Sequence, residues 1–252
     1  MTAIVIIPAR FGSTRFPAKI VASETGKPLV QHVVERVKLC RRVQTILVAT
    51  DDQRIVDALA RYDTRTVMTS PAHQSGTDRI AEVARSLPAD VEIIVNVQGD
   101  EPEIEPEVVD RLIARMESSE DVMATAATPF PNGADPNDPN LVKVVMSSEG
   151  RALYFSRSPI PYRRDSTQVD PPPYYLHLGI YAYRRDFLVR FASWPPTTLE
   201  MTEKLEQLRA LEHGKPIYVL TVNRATHGID TPEQYAEFVM RYRRGEPYVR
   251  PV

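Results

Sequence analysis

Three basic side chains follow the first apolar segment of the chain within a few residues of one another. In the stretch AIVIIPARFGSTRFPAKI, which begins at residue 3, Arg10, Arg15 and Lys19 come just after the apolar part, and Ser13 adds a hydroxyl donor. Guanidinium and ammonium groups are the side chains that bind phosphate oxygens, so these three could neutralise most of a triphosphate. Charge alone leaves a second interpretation open, a solvated basic loop with no ligand.

Two carboxylates follow other apolar segments and suit a divalent cation. Asp100 comes shortly after EIIVNVQ, and Asp230 follows the segment PIYVLTV. Carboxylates at the carboxyl ends of parallel strands point into the ligand crevice of an open sheet, and beside a polyphosphate their natural ligand is Mg²⁺. The structural alternatives are a turn at Asp100 and an N-cap at Asp230. Because both carboxylates accompany the basic loop, a magnesium triphosphate site is the favoured interpretation.

A further polar stretch, SPAHQSGTDRIAEV, leads into a predicted helix. Thr77 or Asp78 could simply cap that helix. The same loop could also form the wall of a base pocket, in which backbone groups and Arg79 contact the base edge. Both interpretations are compatible with the local sequence.

The elements that must position these residues alternate between strand and helix in the first half of the chain. This pattern predicts an α/β fold with a mostly parallel central sheet flanked by helices. Strands are predicted over residues 3–7, 45–49, 65–68 and 92–98, and helices over residues 29–40, 55–62, 77–87 and 106–116.

The middle of the chain has a different pattern. Between about residues 120 and 185, strand-like runs follow one another with little helix between them, which predicts an added antiparallel region. The pattern then returns to α/β, with a helix over 198–213, a strand over 216–222 and a helix over 232–243. A single domain over residues 1–252 is the expected organisation.

Composition limits the classes of partner. The chain has 252 residues, of which 42% are hydrophobic and 25% charged, and its net charge is -2. This balance gives no overall attraction to nucleic acid or anionic lipid. No apolar run approaches the ~18 residues of a membrane span, and the single Cys40 cannot form an internal disulfide or a thiolate zinc site. We therefore expect a cytoplasmic protein with no nucleic-acid partner and no membrane insertion.

Seven segments, in order over nearly the whole chain, carry a specific resemblance: IPARFGSTRFPAK, HQSGTDRIAEV, NVQGDEP, FSRSPIPY, HLGIYAYR, LEQLRALEHG and HGIDTPE. Together they closely resemble the 3-deoxy-manno-octulosonate cytidylyltransferases, also called CMP-Kdo synthetases. The resemblance implies a nucleotide-diphospho-sugar transferase-like fold and a homodimer built through the central antiparallel region. It also implies a nucleotidyltransferase that uses CTP, Kdo and Mg²⁺ in lipopolysaccharide synthesis.

The resemblance assigns site residues motif by motif. Catalytic roles fall to Arg10, Lys19, Asp100 and Asp230, and the two aspartates would hold Mg²⁺. Nucleotide binding falls to Ala9, Arg10, Ser13, Arg15, Lys19, Ser70, Gly76, Thr77, Arg79 and Gln98. Sugar binding falls to Arg157, His177, Tyr181, Glu206 and Gln207, and the sequence leaves open which of Glu206 and Gln207 points into the sugar pocket. One departure is Ala18, which precedes Lys19 where the family usually has a glycine.

The implied reaction is attack of the 2-hydroxyl of Kdo on the α-phosphorus of CTP, with in-line departure of pyrophosphate. It needs positioning and charge neutralisation rather than a covalent intermediate. One alternative is a cytidylyltransferase for another acid sugar, such as 8-amino-Kdo or sialic acid. The other is a nucleotide-sugar sensor without turnover, and the presence of both Asp100 and Asp230 argues against it.

Overall fold

A computed structural model describes residues 1–131, 133–164, 174–223 and 228–246. The strands are β1 (Thr2–Ala9), β2 (Thr45–Thr50), β3 (Thr66–Met68), β4 (Val91–Asn96), β5 (Met123–Pro129), β6 (Lys143–Met146), β7 (Ala152–Ser156), β8 (Tyr175–Arg184) and β9 (Tyr218–Thr221). The α-helices are α1 (Leu29–Val37), α2 (Gln53–Leu59), α3 (Gly76–Ser86), α4 (Pro106–Glu117), α5 (Arg185–Ser193), α6 (Thr198–Glu203), α7 (Gln207–Glu212) and α8 (Pro232–Arg243). Among the described helices, none has both the length and the apolar character that crossing a membrane requires.

The strands form one mixed sheet in the order β3-β2-β1-β4-β8-β5-β9. Strands β1 to β4 are mutually parallel where they pair, whereas β8 runs antiparallel to both β4 and β5. Strands β6 and β7 extend the antiparallel part, with β6 paired to β8. The predicted α/β fold with an added antiparallel region is confirmed, although residues 165–173 of that region lie outside the described residues.

Strand β1 is central because both of its faces are apolar. Ile4 to Ile7 are all at most 2% exposed, as expected for a strand that helices cover on both sides. Val5 and Ile7 belong to the apolar layer that includes α1 and α4, and Ile4 and Ile6 belong to the layer that includes α3 and α5. The loop after β1 therefore leaves the sheet at the middle of its carboxyl edge, where ligands bind in open sheets of this kind.

The structure corrects three local expectations. The helix predicted over 198–213 is two helices, α6 and α7, because Lys204 has a left-handed backbone with φ of 55°. Helix α5, which directly continues β8, was not predicted. The N-cap of α3 is Ser75, whose side chain accepts a hydrogen bond from the Asp78 N–H, so neither Thr77 nor Asp78 caps this helix.

Candidate functional site

The loop after β1 is held in place by its two phenylalanines. The guanidinium carbon of Arg54 lies 3.5 Å from the centre of the Phe11 ring, a cation–π contact with the start of α2. The Phe16 ring packs against Tyr235 of α8, with ring centres 5.5 Å apart. Anchored at two points, the loop has a defined path over the carboxyl edge of the sheet.

The end of this loop turns Lys19 into the protein. Ala18 has φ of 56° and ψ of 21°, a left-handed conformation, and Lys19 opens a short 3-10 helix over Lys19–Val21. The turn leaves Lys19 only 7% exposed, while Arg10 and Arg15 stay at the surface. Ala18 is also the position where the resembling family usually has glycine, the residue that adopts this conformation without steric cost.

Lys19 lies between the two predicted carboxylates. Its Nζ donates to Asp100 Oδ2 at 2.7 Å and to Asp230 Oδ1 at 3.2 Å. Arg15 Nη2 also lies 3.1 Å from Asp230 Oδ1. We call Arg15, Lys19, Asp100 and Asp230 the charged cluster. The structure thus brings together residues that are 81 and 211 positions apart in the chain.

Backbone contacts position the two aspartates. Strand β4 leads to Gly99, where an added Cβ would come within 2.9 Å of the Pro8 carbonyl oxygen, so only glycine fits this close approach to β1. The Ile229 N–H donates to the Asp100 carbonyl at 2.8 Å and ties the two segments together. The N-cap of α8 is Thr231, which accepts from the Gln234 N–H, so the alternative interpretation of Asp230 as that cap is wrong.

The donor set of the charged cluster fits Mg²⁺. Asp100 and Asp230 each place an oxygen within 3.2 Å of one cationic nitrogen, so both carboxylates already converge on a single positive charge. Magnesium is commonly held by one or two carboxylates together with substrate phosphates and water. Among the described residues no group of three or more His, Cys, Asp or Glu side chains could hold a metal.

A cavity of about 350 Å³ opens beside the charged cluster. Besides that cluster, predicted site residues in its wall are Ala9, Arg10, Ser13, Gly76, Arg79, Gln98 and Glu206. Wall residues to which the sequence assigned no role include Pro8, Ile20, His73, Gln74 and Ser75, although the last three lie in the stretch SPAHQSGTDRIAEV.

Arg79 forms part of the wall away from the charged cluster. It is 4% exposed, and its guanidinium donates to Thr69 Oγ1 at 2.5 Å and to Asp51 Oδ2 at 2.9 Å. Ser70 is not in the wall; its N–H donates to Glu82, which also pairs with His73. Ser70 therefore shapes the loop that carries His73.

Thr77 connects this side of the cavity to the predicted sugar residues. Its Oγ1 donates to Glu206 Oε2 at 2.5 Å. Glu206 lies in the cavity wall, whereas Gln207 is 3% exposed and its Nε2 is buried without a hydrogen-bond partner among the described residues. Of the two residues that the sequence could not separate, Glu206 is the one that faces the cavity.

His177 and Tyr181 form a second group, which we call the neutral cluster. The His177 ring packs against Phe155 and Tyr181, with ring centres 4.9 Å and 5.5 Å away. Burial lowers the pKa of His177 to about 3, so the ring is neutral at pH 7. Burial, together with the nearby Tyr183 and Glu206, raises the pKa of Tyr181, which keeps its hydroxyl protonated.

Arg157 is placed differently from the other predicted sugar residues. Its guanidinium donates to three backbone carbonyls, those of Glu203 at 2.7 Å, Pro139 at 2.7 Å and Lys204 at 3.3 Å. These carbonyls belong to the loop before β6 and to the junction between α6 and α7. Arg157 is not in the wall of the cavity, and the contacts of its guanidinium are with backbone carbonyls.

Sequence reasoning missed one carboxyl group next to the charged cluster. Glu101 is 8% exposed, and burial together with the neighbouring Asp100 raises the pKa of Glu101 to about 8. It directly follows Asp100 in NVQGDEP, so its position was visible. Its burial depends on the packing of β8, whose Gly179 lies close to the Glu101 carboxyl group, and no local pattern indicates that contact.

Comparison with known proteins yields consistent similarities. A family model described as cytidylyltransferase matches residues 4–217. The chain is 50% identical to a 3-deoxy-manno-octulosonate cytidylyltransferase of Geobacter sulfurreducens, over 92% of this chain and 96% of the relative. It is 44% identical to a protein of the same name from Leptospira biflexa, over 95% and 96% of the two chains.

Comparison with solved structures shows that the fold is also similar. The chain is similar to CMP:2-keto-3-deoxy-manno-octonic acid synthetase complexed with CTP, with 39% identity, a TM-score of 0.90 and coverage of 97% of this chain and 100% of the other. A 4-diphosphocytidyl-2C-methyl-D-erythritol synthase from Anaerococcus prevotii has a TM-score of 0.62 at 15% identity, over 96% of each chain, and shares the fold alone.

Proposed function

The chain belongs to the cytidylyltransferase family, and from this premise we propose that it transfers CMP from CTP to the 2-hydroxyl of Kdo and releases pyrophosphate. The product, CMP-Kdo, would serve lipopolysaccharide synthesis in the cytoplasm. The observation that carries the proposal is the cavity at the carboxyl edge of the sheet, where the charged cluster lies beside Arg10 and Ser13.

The charged cluster would bind the triphosphate and its metal ion. Asp100 and Asp230 would hold Mg²⁺, which when bound screens the phosphate charges and favours ionisation of a nearby hydroxyl. Lys19 and Arg15 are paired with these aspartates in the free protein. When a polyphosphate binds, the two basic side chains would exchange their carboxylate partners for phosphate oxygens. Lys19, Arg10 and Arg15 would then stabilise the charge that builds up on the departing pyrophosphate.

The rest of the cavity would hold cytidine and the sugar. Gly76, Arg79 and Gln98 lie in the wall and would face the nucleoside. Glu206 lies in the same wall and is close enough to Tyr181 to raise the pKa of that tyrosine. His177, Tyr181 and Glu206 would orient the Kdo hydroxyl groups. The reaction then depends on the alignment of the 2-hydroxyl with the α-phosphorus, because the phosphoryl group passes between two oxygens in line.

A homodimer through the region of residues 120–185 is part of the proposal. Within the described strands, β7 pairs along its length only with β6, and its other edge meets the β9 segment at its start, where the Ala152 N–H donates to the Ile217 carbonyl at 2.9 Å. Leu153 on β7 is 62% exposed and Tyr162 is 87% exposed, which is unusual for large apolar side chains. Sedimentation of the wild-type chain and of Leu153→Lys would test this, since a monomeric wild type contradicts it.

The test of the activity is release of pyrophosphate with CTP, Mg²⁺ and a panel of acid sugars that includes Kdo, 8-amino-Kdo and sialic acid. We expect turnover with Kdo and CTP, and poor turnover when UTP or ATP replaces CTP. Equal turnover with ATP, or release of pyrophosphate with no sugar preference, would contradict the proposal.

A further inference from the structure

Thr125 lies on β5, next to the neutral cluster, in a position that no motif had indicated. It belongs to β5 and is 0% exposed. Its Oγ1 has three polar neighbours: the Ile180 carbonyl at 2.7 Å, the Leu178 carbonyl at 3.2 Å and His177 Nε2 at 3.0 Å. The Thr125 hydroxyl has one hydrogen to donate. It faces two carbonyl oxygens, which can only accept a hydrogen bond, and His177 Nε2, which donates or accepts according to the tautomer of the ring.

The pairing of β5 with β8 explains why these groups converge. Thr125 pairs with Tyr181 and the next residue, Ala126, pairs with Leu178. Residues 179–180 of β8 therefore have no counterpart on β5 and form a bulge. The Thr125 hydroxyl fills this irregularity and takes the place of the missing ladder contacts.

The single hydrogen of Thr125 decides the state of the His177 ring. A carbonyl oxygen cannot donate, so the 2.7 Å contact with Ile180 is favourable only if the Thr125 hydroxyl points its hydrogen there. The Thr125 oxygen then offers only lone pairs to His177. The His177 Nε2 must therefore carry a hydrogen, and because the ring is neutral at pH 7, Nδ1 carries none.

We propose that Thr125 is a positioning residue that holds His177 in its Nε2–H tautomer and presents Nδ1 as a hydrogen-bond acceptor to a hydroxyl group of the acid sugar. Among the described residues His177 Nδ1 has no hydrogen-bond partner, and the contacts of His177 lead through Tyr181 toward Glu206 in the cavity wall. A bare ring nitrogen attracts O–H donors and repels a carboxylate. His177 thus selects a hydroxyl of the sugar and leaves the carboxylate to cationic or N–H groups elsewhere.

A second histidine has the same arrangement and provides an internal control. Thr25 Oγ1 donates to the Lys27 carbonyl at 3.0 Å and contacts His32 Nε2 at 2.7 Å. By the same reasoning His32 is also an Nε2–H tautomer. Its Nδ1 is buried without a partner in the part of the chain that the structure describes, whereas Nδ1 of His177 is not enclosed in this way.

The tautomer is testable without substrate. In the folded protein labelled with ¹⁵N at histidine, long-range proton–nitrogen NMR at pH 7 distinguishes a ring nitrogen that carries hydrogen from one that does not. We expect Nε2–H for both His177 and His32 in the wild type. Thr125→Val should convert His177 to a mixture of tautomers and leave His32 unchanged, and Thr25→Val should do the reverse. A wild-type His177 with its hydrogen on Nδ1 overturns the proposal, whatever the variants do.

The sugar contact rests on the proposed function and needs kinetics. Thr125→Val should raise the KM for Kdo roughly tenfold and leave the KM for CTP unchanged, because one hydrogen bond to the sugar loses its fixed acceptor. Thr125→Ser keeps the hydroxyl and should behave like the wild type in both the spectrum and the KM. An equal rise in both KM values, or a serine variant as impaired as the valine variant, overturns the proposal. Absence of any turnover with Kdo instead contradicts the proposed function, and leaves the NMR result unaffected.

Discussion

The charged cluster and the neutral cluster are stabilised in opposite ways. In the charged cluster, Lys19 is ion-paired with two aspartates whose own side chains are partly exposed. In the neutral cluster, His177 and Tyr181 are uncharged rings fixed by packing and by the buried Thr125 hydroxyl. The residues of the charged cluster can exchange one ionic partner for another when a ligand binds. The rings of the neutral cluster are fixed by packing, so their orientation and protonation are already set in the free protein.

The largest expected effect tests the charged cluster. Asp100→Asn and Asp230→Asn each preserve shape and remove one charge, and each should lower kcat by roughly a hundredfold or more, since loss of one group that stabilises a transferring phosphoryl costs about 3 kcal/mol. Melting temperature should change little, because in each variant the remaining aspartate still pairs with Lys19. The exposed Asp186 provides the control variant Asp186→Asn. Normal turnover in Asp230→Asn would remove that residue from the catalytic group.

The next effect tests the neutral cluster by acidification. The pKa of His177 is lowered to about 3 and that of His32 to about 4 in the folded chain, from an ordinary value of 6.5. The unfolded chain therefore binds these protons first, and stability that is fully present above pH 6.5 is lost as the pH falls. Each histidine should account for roughly 2 kcal/mol of unfolding free energy between pH 7 and pH 5.

Urea unfolding at pH 7, 6 and 5 measures this loss. His177→Gln should lose stability less steeply with acidification than the wild type, because the carboxyl groups contribute equally to both chains. Parallel curves for the two proteins would show that His177 is not held neutral by the fold. His32→Gln is the matched variant outside the cavity.

A variant of Arg157 tests whether this residue contacts the sugar, as the neutral cluster would, or only stabilises the backbone around it. Arg157→Ala removes three hydrogen bonds to backbone carbonyls and should lower the unfolding free energy by roughly 2 kcal/mol. Arg164→Ala removes an exposed arginine nearby and should have little effect. If Arg157→Ala raised the KM for Kdo with unchanged stability, the direct sugar contact implied by the family resemblance would be favoured over the scaffold role.

The smallest effect concerns the turn that buries Lys19. Ala18→Gly should stabilise the chain by roughly 0.5–1 kcal/mol, because glycine adopts a left-handed backbone without steric cost and this gain exceeds its added freedom in the unfolded chain. Ala22 has φ of -54°, so Ala22→Gly should destabilise by a similar amount. Equal shifts of the same sign in both variants, measured by urea unfolding, would contradict the strain argument.

The charged cluster could be predicted from the sequence because each member follows an apolar strand. Lys19, Asp100 and Asp230 all lie beyond strand ends, and the parallel topology brings such ends to one edge. Glu206 and Gln207 could not be separated, because helical periodicity over 198–213 gave no sign of the break. Lys204 adopts the left-handed conformation without being glycine, and this places α7 at a new angle.

Thr125 was beyond prediction for a different reason. It lies in the run ATAATP, where small residues carry no motif, and its importance comes from a register shift between β5 and β8. Register shifts depend on how two distant strands align, and single-sequence patterns do not report that alignment. Helix α5 was missed because it begins directly at the end of β8, without a turn signal between the two elements.

The pairing of Lys19 with Asp230 can form only late in the synthesis of the chain. The two residues are 211 positions apart, so at synthesis rates of about 5–20 residues per second the ribosome adds Asp230 roughly ten seconds or more after Lys19. During that interval β1 and β4 are already available to pair, and Lys19 can meet only Asp100. The nascent chain therefore passes through a stage in which Lys19 has at most one of its two aspartate partners, and the charged cluster is completed only when the segment before α8 has been made.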